Sequence, residues 1–301
     1  MKFISNRITI FVIIFCLIFS FCDSQNKNNT DELIRTISIA SFNTLNLADT
    51  LKKDFTSFCW ILSRYDLIAL IEIRRAEVLE LITYRLKEMT NNQWDYVISE
   101  FGIGRTSQKE FYAFIYRSDK GKYLEGSGKI WNDINDEFER EPFYASFKFG
   151  NFDFIFVVIH IKFSGGKKSV IRQEVAALYK VYTEIVEHNP REKDIILAGD
   201  FNLNPSDKGW NQIKTIPTII HLISSESLTT LNLKGELANS YDNIWIQESS
   251  TVWEYSDSSW VDYYYDTLYG YEQNPAVVAK KKISDHLPIG ASFIINKRDD
   301  D

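Results

Sequence analysis

The chain has 301 residues, of which 45% are hydrophobic, 25% charged and 15% aromatic, a composition that excludes a disordered, fibrous or polytopic membrane protein. Its 34 Lys and Arg face 41 Asp and Glu, for a net charge of −7. Taken alone, that acidity argues against a nucleic-acid partner, because a phosphate backbone calls for positive charge. Net charge bears on solubility and long-range fields, however, and leaves the content of a single cleft open.

Lys2 and Arg7 precede an apolar run from Ile8 to Phe21 that only Thr9 and Ser20 interrupt. A basic start and an apolar run well short of the ~20 residues of a membrane span read as a signal peptide over residues 1–22, followed by a polar segment over 23–35. The protein is therefore expected to be secreted or extracytoplasmic. Cys22 also stands where a lipoprotein cysteine would, with Phe21 a poor lipobox residue before it; membrane attachment is expected only through lipidation there. Removal of residues 1–22 takes away Lys2, Arg7 and no acid, so the mature chain is more acidic still. Cys59 is then the only certain mature cysteine, which leaves the fold to be held by its core rather than by a disulfide. Its neighbours Phe55, Phe58 and Leu62 mark it as a buried apolar residue.

From Thr36 to Phe42 the sequence alternates with period two, as a half-buried strand does. Leu51, Phe55, Phe58 and Leu62 recur at helical spacing, Leu67–Ile71 is a short apolar run, and Leu79, Ile82 and Leu86 form a second helical stripe. Strand-like runs follow at 95–99, 111–117, 143–149 and 152–161. The clearest helix spans 169–188, with Ile171, Val175, Leu178, Tyr182 and Ile185 on one face. Strands at 194–199, 243–247 and 289–295 complete the pattern. No repeat or domain boundary interrupts it, and adjacent strands often lack an intervening helix. The expectation is one α/β (α+β) domain over residues 36–296, with mixed, largely antiparallel sheets covered by helices and a charged tail at 297–301.

Polar residues fall at the ends of these strands. Asn43 follows the first, Glu72 closes Leu67–Ile71, and His160 ends Phe154–Ile159. Asp200 and Asn202 follow Ile195–Gly199, Asp242 and Asn243 precede Ile244, and Asp285-His286 precede Leu287. Any one of these suits a cap or a turn. Together they fit a single rim carrying a shared polar site, since a buried carboxylate without a partner costs several kcal/mol. Four carboxylates close together need a cation, and hard oxygen ligands suit Mg²⁺, Mn²⁺ or Ca²⁺.

The segments Ser41-Phe42-Asn43, Ile71-Glu72-Ile73-Arg74, Val158-Ile159-His160, Gly199-Asp200-Phe201-Asn202, Tyr241-Asp242-Asn243-Ile244 and Ser284-Asp285-His286-Leu287-Pro288 resemble, in order, the motifs of the endonuclease/exonuclease/phosphatase superfamily. Within it the sequence most resembles deoxyribonuclease I. Gly104-Arg105-Thr106-Ser107-Gln108-Lys109-Glu110 and Phe138-Glu139-Arg140-Glu141-Pro142 resemble segments that this family places near DNA phosphates. Two positions depart from it: Gln108 stands for a tyrosine, and Leu45 for an arginine shortly after the first asparagine. The loop disulfide of the animal enzymes is missing too.

The resemblance implies a four-layer α/β/β/α sandwich and metal-dependent hydrolysis of a phosphodiester. It places Mg²⁺ or Mn²⁺ on Glu72 with Asn43 and Asp285. It also implies that Glu110 orients His160, that Asp242 orients His286, and that the two histidines share the proton transfers. Asp200 would position water or the metal, and Asn202, Asn43 and Arg74 would hold the phosphate. Arg74, Arg105, Lys109 and Arg140 are its DNA or phosphate contacts, joined by lysines flanking the histidines (Lys162, Lys167, Lys168 and Lys280–Lys282). DNA is the expected substrate, RNA is left open, and no stable protein partner is expected. His188 and His221 have no such context and are expected at the surface. The aromatic stretch Trp253–Tyr271 reads as a packed loop; as a membrane-touching hairpin it would instead favour a lipid phosphodiesterase on the same scaffold.

Overall fold

The structure, a computed structural model, describes residues 33–48, 53–107 and 109–299. The expected signal peptide, Cys22, Leu51 and Gln108 lie outside the described residues. From Arg35 onward the chain forms one compact unit.

In chain order come β1 (Thr36–Leu47), α1 (Phe55–Leu62), β2 (Leu67–Ile73), α2 (Val78–Thr90), β3 (Trp94–Ile98) and β4 (Phe111–Arg117). The short β5 (Gly121–Tyr123) and β6 (Lys129–Ile130) precede β7 (Phe143–Phe149), β8 (Phe152–His160), α3 (Lys168–His188) and β9 (Ile195–Asp200). The last third holds β10 (Ile219–His221), β11 (Asp242–Gln247), β12 (Tyr255–Val261), α4 (Tyr264–Tyr269), α5 (Pro275–Lys282) and β13 (Ile289–Ile294). The long periodic segments thus form where the sequence places them. The aromatic stretch is a correction: instead of a loop it supplies β12 and α4.

Two sheets form. One runs β12-β13-β1-β2-β4-β3; the other runs β10-β11-β9-β8-β7-β5, with β6 beside β7. Both are mixed: β1 with β2 and β8 with β9 are parallel, and the other pairs are antiparallel. The parallel pairs follow from chain path. Helix α1 carries the chain from β1 to β2, and α3 carries it from β8 to β9.

Period-two alternation sets the layers. In β8, Phe154, Phe156 and Val158 point between the sheets, where they meet Phe114, Phe147 and Ile196. Ile155, Val157 and Ile159 point the other way, under Ile171, Val175, Leu178 and Ile185 of α3. In β1, Ile37 and Ile39 face the other sheet, while Ala40 and Phe42 lie under α1, α2 and the α4–α5 pair. The result is the α/β/β/α sandwich. Each buried Phe or Ile contributes about 1.5–3 kcal/mol over its exposed state. Inter-sheet rings also stack, as Phe114 does on Phe143 at 5.4 Å. Cys59 is fully buried in the layer over the first sheet, and burial pushes its thiol up to about 12.

Candidate active site

Register brings the strand-end residues together. His160 pairs with Asp200 across β8 and β9, and Asp200 pairs with Asp242 across β9 and β11. In the other sheet, Asn43 pairs with Ile71 across β1 and β2, next to Glu72. Beyond Asn43 the backbone of β1 turns left-handed at Leu45 and Asn46 (φ 50° and 54°), and Glu72 also has φ 61°. This bulge aims the Asn46 N–H at Glu72 Oε2, 3.0 Å away. Gly199 supplies a second irregularity, with φ 148° and the carbonyl of Ile159 pressed against the place of a Cβ.

Two carboxylate–histidine dyads line the rim. His160 Nδ1 lies 2.7 Å from Glu110 Oε1, and His286 Nδ1 lies 2.9 Å from Asp242 Oδ2. Their other ring nitrogens converge: Nε2 of His160 is 3.6 Å and Nε2 of His286 is 3.5 Å from Asp200 Oδ2. His160 Nε2 also stands 3.8 Å from Glu72 Oε1. Burial acts to lower both imidazole pKa values, and the facing carboxylates outweigh it. Glu110 leads in raising His160, and Asp242, with Asp200, raises His286 to about 10. Burial likewise acts to raise Glu110, but His160, Arg140 and Arg74 hold it below its usual range. For the Asp242–His286 pair, burial and Asp200 push the carboxyl up while His286 pulls it down. The proton rests on the imidazole, which has two acceptors facing it.

The supporting contacts explain why the dyads hold this shape. Thr229 donates its hydroxyl to Asp242 Oδ2 at 2.7 Å, and Thr230 pairs with His286 in an isolated bridge. Ser284 donates to Asn43 O and accepts from His286 N–H, which joins the two motifs. Asn202 donates to Ile161 O at 2.9 Å, and its own N–H is capped by Asp200 Oδ1. Thr229 carries no motif that the sequence could have flagged.

Two of the expected cation ligands, Asn43 and Glu72, also meet. Asn43 turns its amide nitrogen to Glu72 Oε1 and Asp200 Oδ2, 3.1 Å from each, and its Oδ1 accepts from the Leu45 N–H. Asn43 thus bridges two carboxylates here instead of presenting its oxygen. Asp285 accepts from Lys280 at 3.2 Å, while its Oδ1 is buried with no hydrogen-bond partner. Among the described residues, Asp200, Asp242 and His286 also offer ligand atoms within 4.8 Å of one another. Asp242 and His286 Nδ1 are already committed to each other. A hard cation would draw instead on carboxylate oxygens of Glu72, Asp200 and Asp285, hard donors of which only Asp285 Oδ1 lacks a hydrogen-bond partner.

One residue here escaped the sequence reading. Lys53 donates from Nζ to the carbonyls of Leu45, at 3.1 Å, and Ile283. Burial lowers its pKa to about 8, against the pull of Glu72 and Asp285. A lysine just before a helix reads as surface charge, so no signal marked it.

The basic residues divide. Arg74 donates to Asn46 Oδ1 and Lys109 O and lies 3.9 Å from Glu110 Oε2, and Arg140 Nε lies 3.3 Å from the same oxygen. Both brace Glu110 from behind. Arg105 is tied to Asp136 at 2.7 Å and to Asp133 at 3.7 Å, and Lys162 is tied to Glu139. Lys109, Lys167, Lys168, Lys281 and Lys282 are exposed. His188 is exposed, but His221 is half-buried against Trp245, with centroids 5.1 Å apart, and accounts for a packing position rather than a surface one.

The same architecture recurs in solved structures. An endonuclease/exonuclease/phosphatase family protein from Bacteroides thetaiotaomicron superposes with a TM-score of 0.56, at 16% identity, over 87% of this chain and 99% of that one. A humanized D. rerio TDP2 gives 0.58 at 19% identity, over 86% and 98%. The fold is that of the endonuclease/exonuclease/phosphatase class. Among curated proteins, deoxyribonuclease-1 of Mus musculus is 30% identical over 281 residues, covering 87% of this chain and 93% of that protein. A deoxyribonuclease of Thioalkalivibrio sp. (strain K90mix) is 29% identical over 220 residues, and the match spans 59% of its length. No protein-family model matches the sequence. The chain belongs to the deoxyribonuclease I family and is a phosphodiester hydrolase.

Proposed function

We propose that this protein is a secreted, divalent-metal-dependent endonuclease that cleaves DNA. The observation that carries the reading is the convergence of both dyads on Asp200 Oδ2, at 3.6 and 3.5 Å. A phosphodiester lying across that point has one imidazole to accept a proton from water and another to give one to the leaving oxygen. Either histidine can take either part. Glu110 and Asp242 fix the ring orientations and stabilise the imidazolium forms. Bound Mg²⁺ or Mn²⁺ supplies positive charge at the non-bridging oxygens. Glu72, Asp200 and Asp285 would hold it, with the Asn43 amide linking Glu72 to Asp200. Asn202 positions Asp200, and the exposed lysines along the rim meet the strand's phosphates. DNA as substrate is supported by the deoxyribonuclease names of the curated relatives. Secretion is supported by the basic–apolar–polar order of residues 1–35.

The lipid alternative needed an apolar hairpin at Trp253–Tyr271. Most of that stretch instead pairs as β12 with β13 or packs as α4. The test is nicking of supercoiled plasmid. Nicking is expected with Mg²⁺ or Mn²⁺, and is expected to vanish with EDTA and in His160→Ala and His286→Ala. Intact plasmid alongside cleaved sphingomyelin would overturn the reading. N-terminal sequencing of exported protein checks the leader: a mature chain still starting at Met1 would sink it.

A further inference from the structure

We infer that Lys53 is a positioning residue of the metal-binding face, whose fixed ammonium sets how tightly Glu72 and Asp285 take up a divalent cation; this rests on the metal assignment proposed above. Its place is built, not incidental. Asp54, the next residue, caps α1 through the Ser57 N–H, donates its own N–H to Lys282 O and accepts from the Tyr269 hydroxyl. The Lys53 backbone is thereby pinned to α1, α4 and α5, and the side chain is sent inward.

Its two carbonyl partners are informative. Leu45 lies two residues after Asn43, and Ile283 lies two residues before Asp285. One ammonium therefore ties together the two segments that carry ligands from opposite ends of the chain. Its bonds go to carbonyls, and no described carboxylate lies within ion-pair distance of it. The Leu45–Asn46 peptide that accepts from the ammonium donates its N–H to Glu72 Oε2, and Ile283 stands two residues from Asp285, so the charge lies beside both segments without direct contact with a carboxylate. A carbonyl-bound ammonium offsets part of the repulsion among the rim carboxylates before any metal arrives. It also opposes a second cation entering the same field. The consequence is weaker, more readily reversed metal binding than the carboxylates of Glu72, Asp200 and Asp285 would otherwise give.

The test measures Mn²⁺ affinity of the full mature chain by calorimetry, in native protein and in Lys53→Gln, Lys53→Arg and Glu72→Gln. Gln keeps a donor and loses the charge; Arg keeps both. Lys53→Gln is expected to bind Mn²⁺ about five-fold or more tightly, on the electrostatics of removing one nearby unit charge. Lys53→Arg should stay within about two-fold of native, and Glu72→Gln should weaken binding. Should Lys53→Gln fail to fold, Lys53→Met takes its place with the same expectation. Unchanged or weaker binding in the uncharged variant, with Glu72→Gln weakened, overturns the role of Lys53 alone. Unchanged binding in Glu72→Gln overturns the metal assignment and this inference with it.

Discussion

His160 and His286 reach the same oxygen from different sheets. His160 closes β8 of the seven-stranded sheet, and His286 lies in the turn that enters β13 of the six-stranded one. Nevertheless their Nε2 atoms stand 3.6 and 3.5 Å from Asp200 Oδ2. The proposed reaction centre is thus a property of how the sheets stack, and its parts can be separated experimentally.

The arginines behind Glu110 separate catalysis from DNA affinity. Arg140 Nε is 3.3 Å from Glu110 Oε2, whereas Lys109 is exposed on the neighbouring rim. Arg140→Ala is expected to lower kcat about 10–100-fold with little change in KM, because it acts through the Glu110–His160 pair. Lys109→Ala should instead raise KM and flatten the salt dependence of binding by about one unit of log–log slope. Steady-state nicking at several salt concentrations reads both. A pure KM effect for Arg140→Ala would place that residue on the substrate.

The pH behaviour of His286 follows from its partners. Burial opposes the charged form, but Asp242 and Asp200 raise its pKa to about 10 in the metal-free protein. Its folded value lies above its unfolded one near 6.5, so its contribution to stability is fully present below pH 6.5. That contribution fades as pH climbs towards 10. NMR titration of the metal-free protein should show His286 still protonated at pH 8. In Asp242→Asn its midpoint should fall by more than one unit. A midpoint unmoved by that substitution would contradict the assignment.

Thr229 is expected to matter more than its small size suggests. Its hydroxyl donates to Asp242 Oδ2 at 2.7 Å and accepts from the Tyr241 and Asp242 N–H groups. Thr229→Val loses a buried bond to a charged acceptor, a destabilisation of about 1.5–3 kcal/mol by urea unfolding. Thr229→Ser should recover most of it. A Val variant as stable as native, with Ser the weaker of the two, would show that the methyl, not the hydroxyl, is what counts.

Gly199 tests the backbone side of the site. At φ 148° an added Cβ would lie 1.9 Å from the Ile159 carbonyl oxygen. Gly199→Ala should cost about 3 kcal/mol or more, and should impair nicking even at temperatures where the variant remains folded, because Asp200 follows directly. A variant of native Tm and native activity would show that the strand can relax without moving Asp200.

Much of this was legible in the chain itself, for reasons that differ by element. Central strands such as β2, β8 and β9 are buried on both faces and read as apolar runs, so the polar residue ending each one stood out. The edge strands β5, β10 and β12 did not read as strands. An edge strand needs little burial, and Tyr255-Ser256-Asp257-Ser258-Ser259 shows no apolar alternation. Helix α4 is too short for a periodic stripe. Within the site, residue identity was visible and orientation was not. Nothing in the sequence shows that Arg140 turns towards Glu110, that Asn43 offers its nitrogen, or that Lys53 folds inward. Those depend on which neighbour satisfies which buried atom, a three-dimensional matter.

The phenylalanine layer between the sheets has an effect beyond holding them together. Phe114, Phe147, Phe154 and Phe156 fill the space that sets the spacing of the two sheets. The His286–Asp242 contact bridges a turn entering one sheet and a strand of the other. A slight swelling of that layer would part the pair while leaving every strand hydrogen-bonded. Such a protein would keep its far-UV signal and stop turning over. Activity is thus the finer gauge of whether the sandwich is closed, and inactivation on warming should precede any loss of secondary structure.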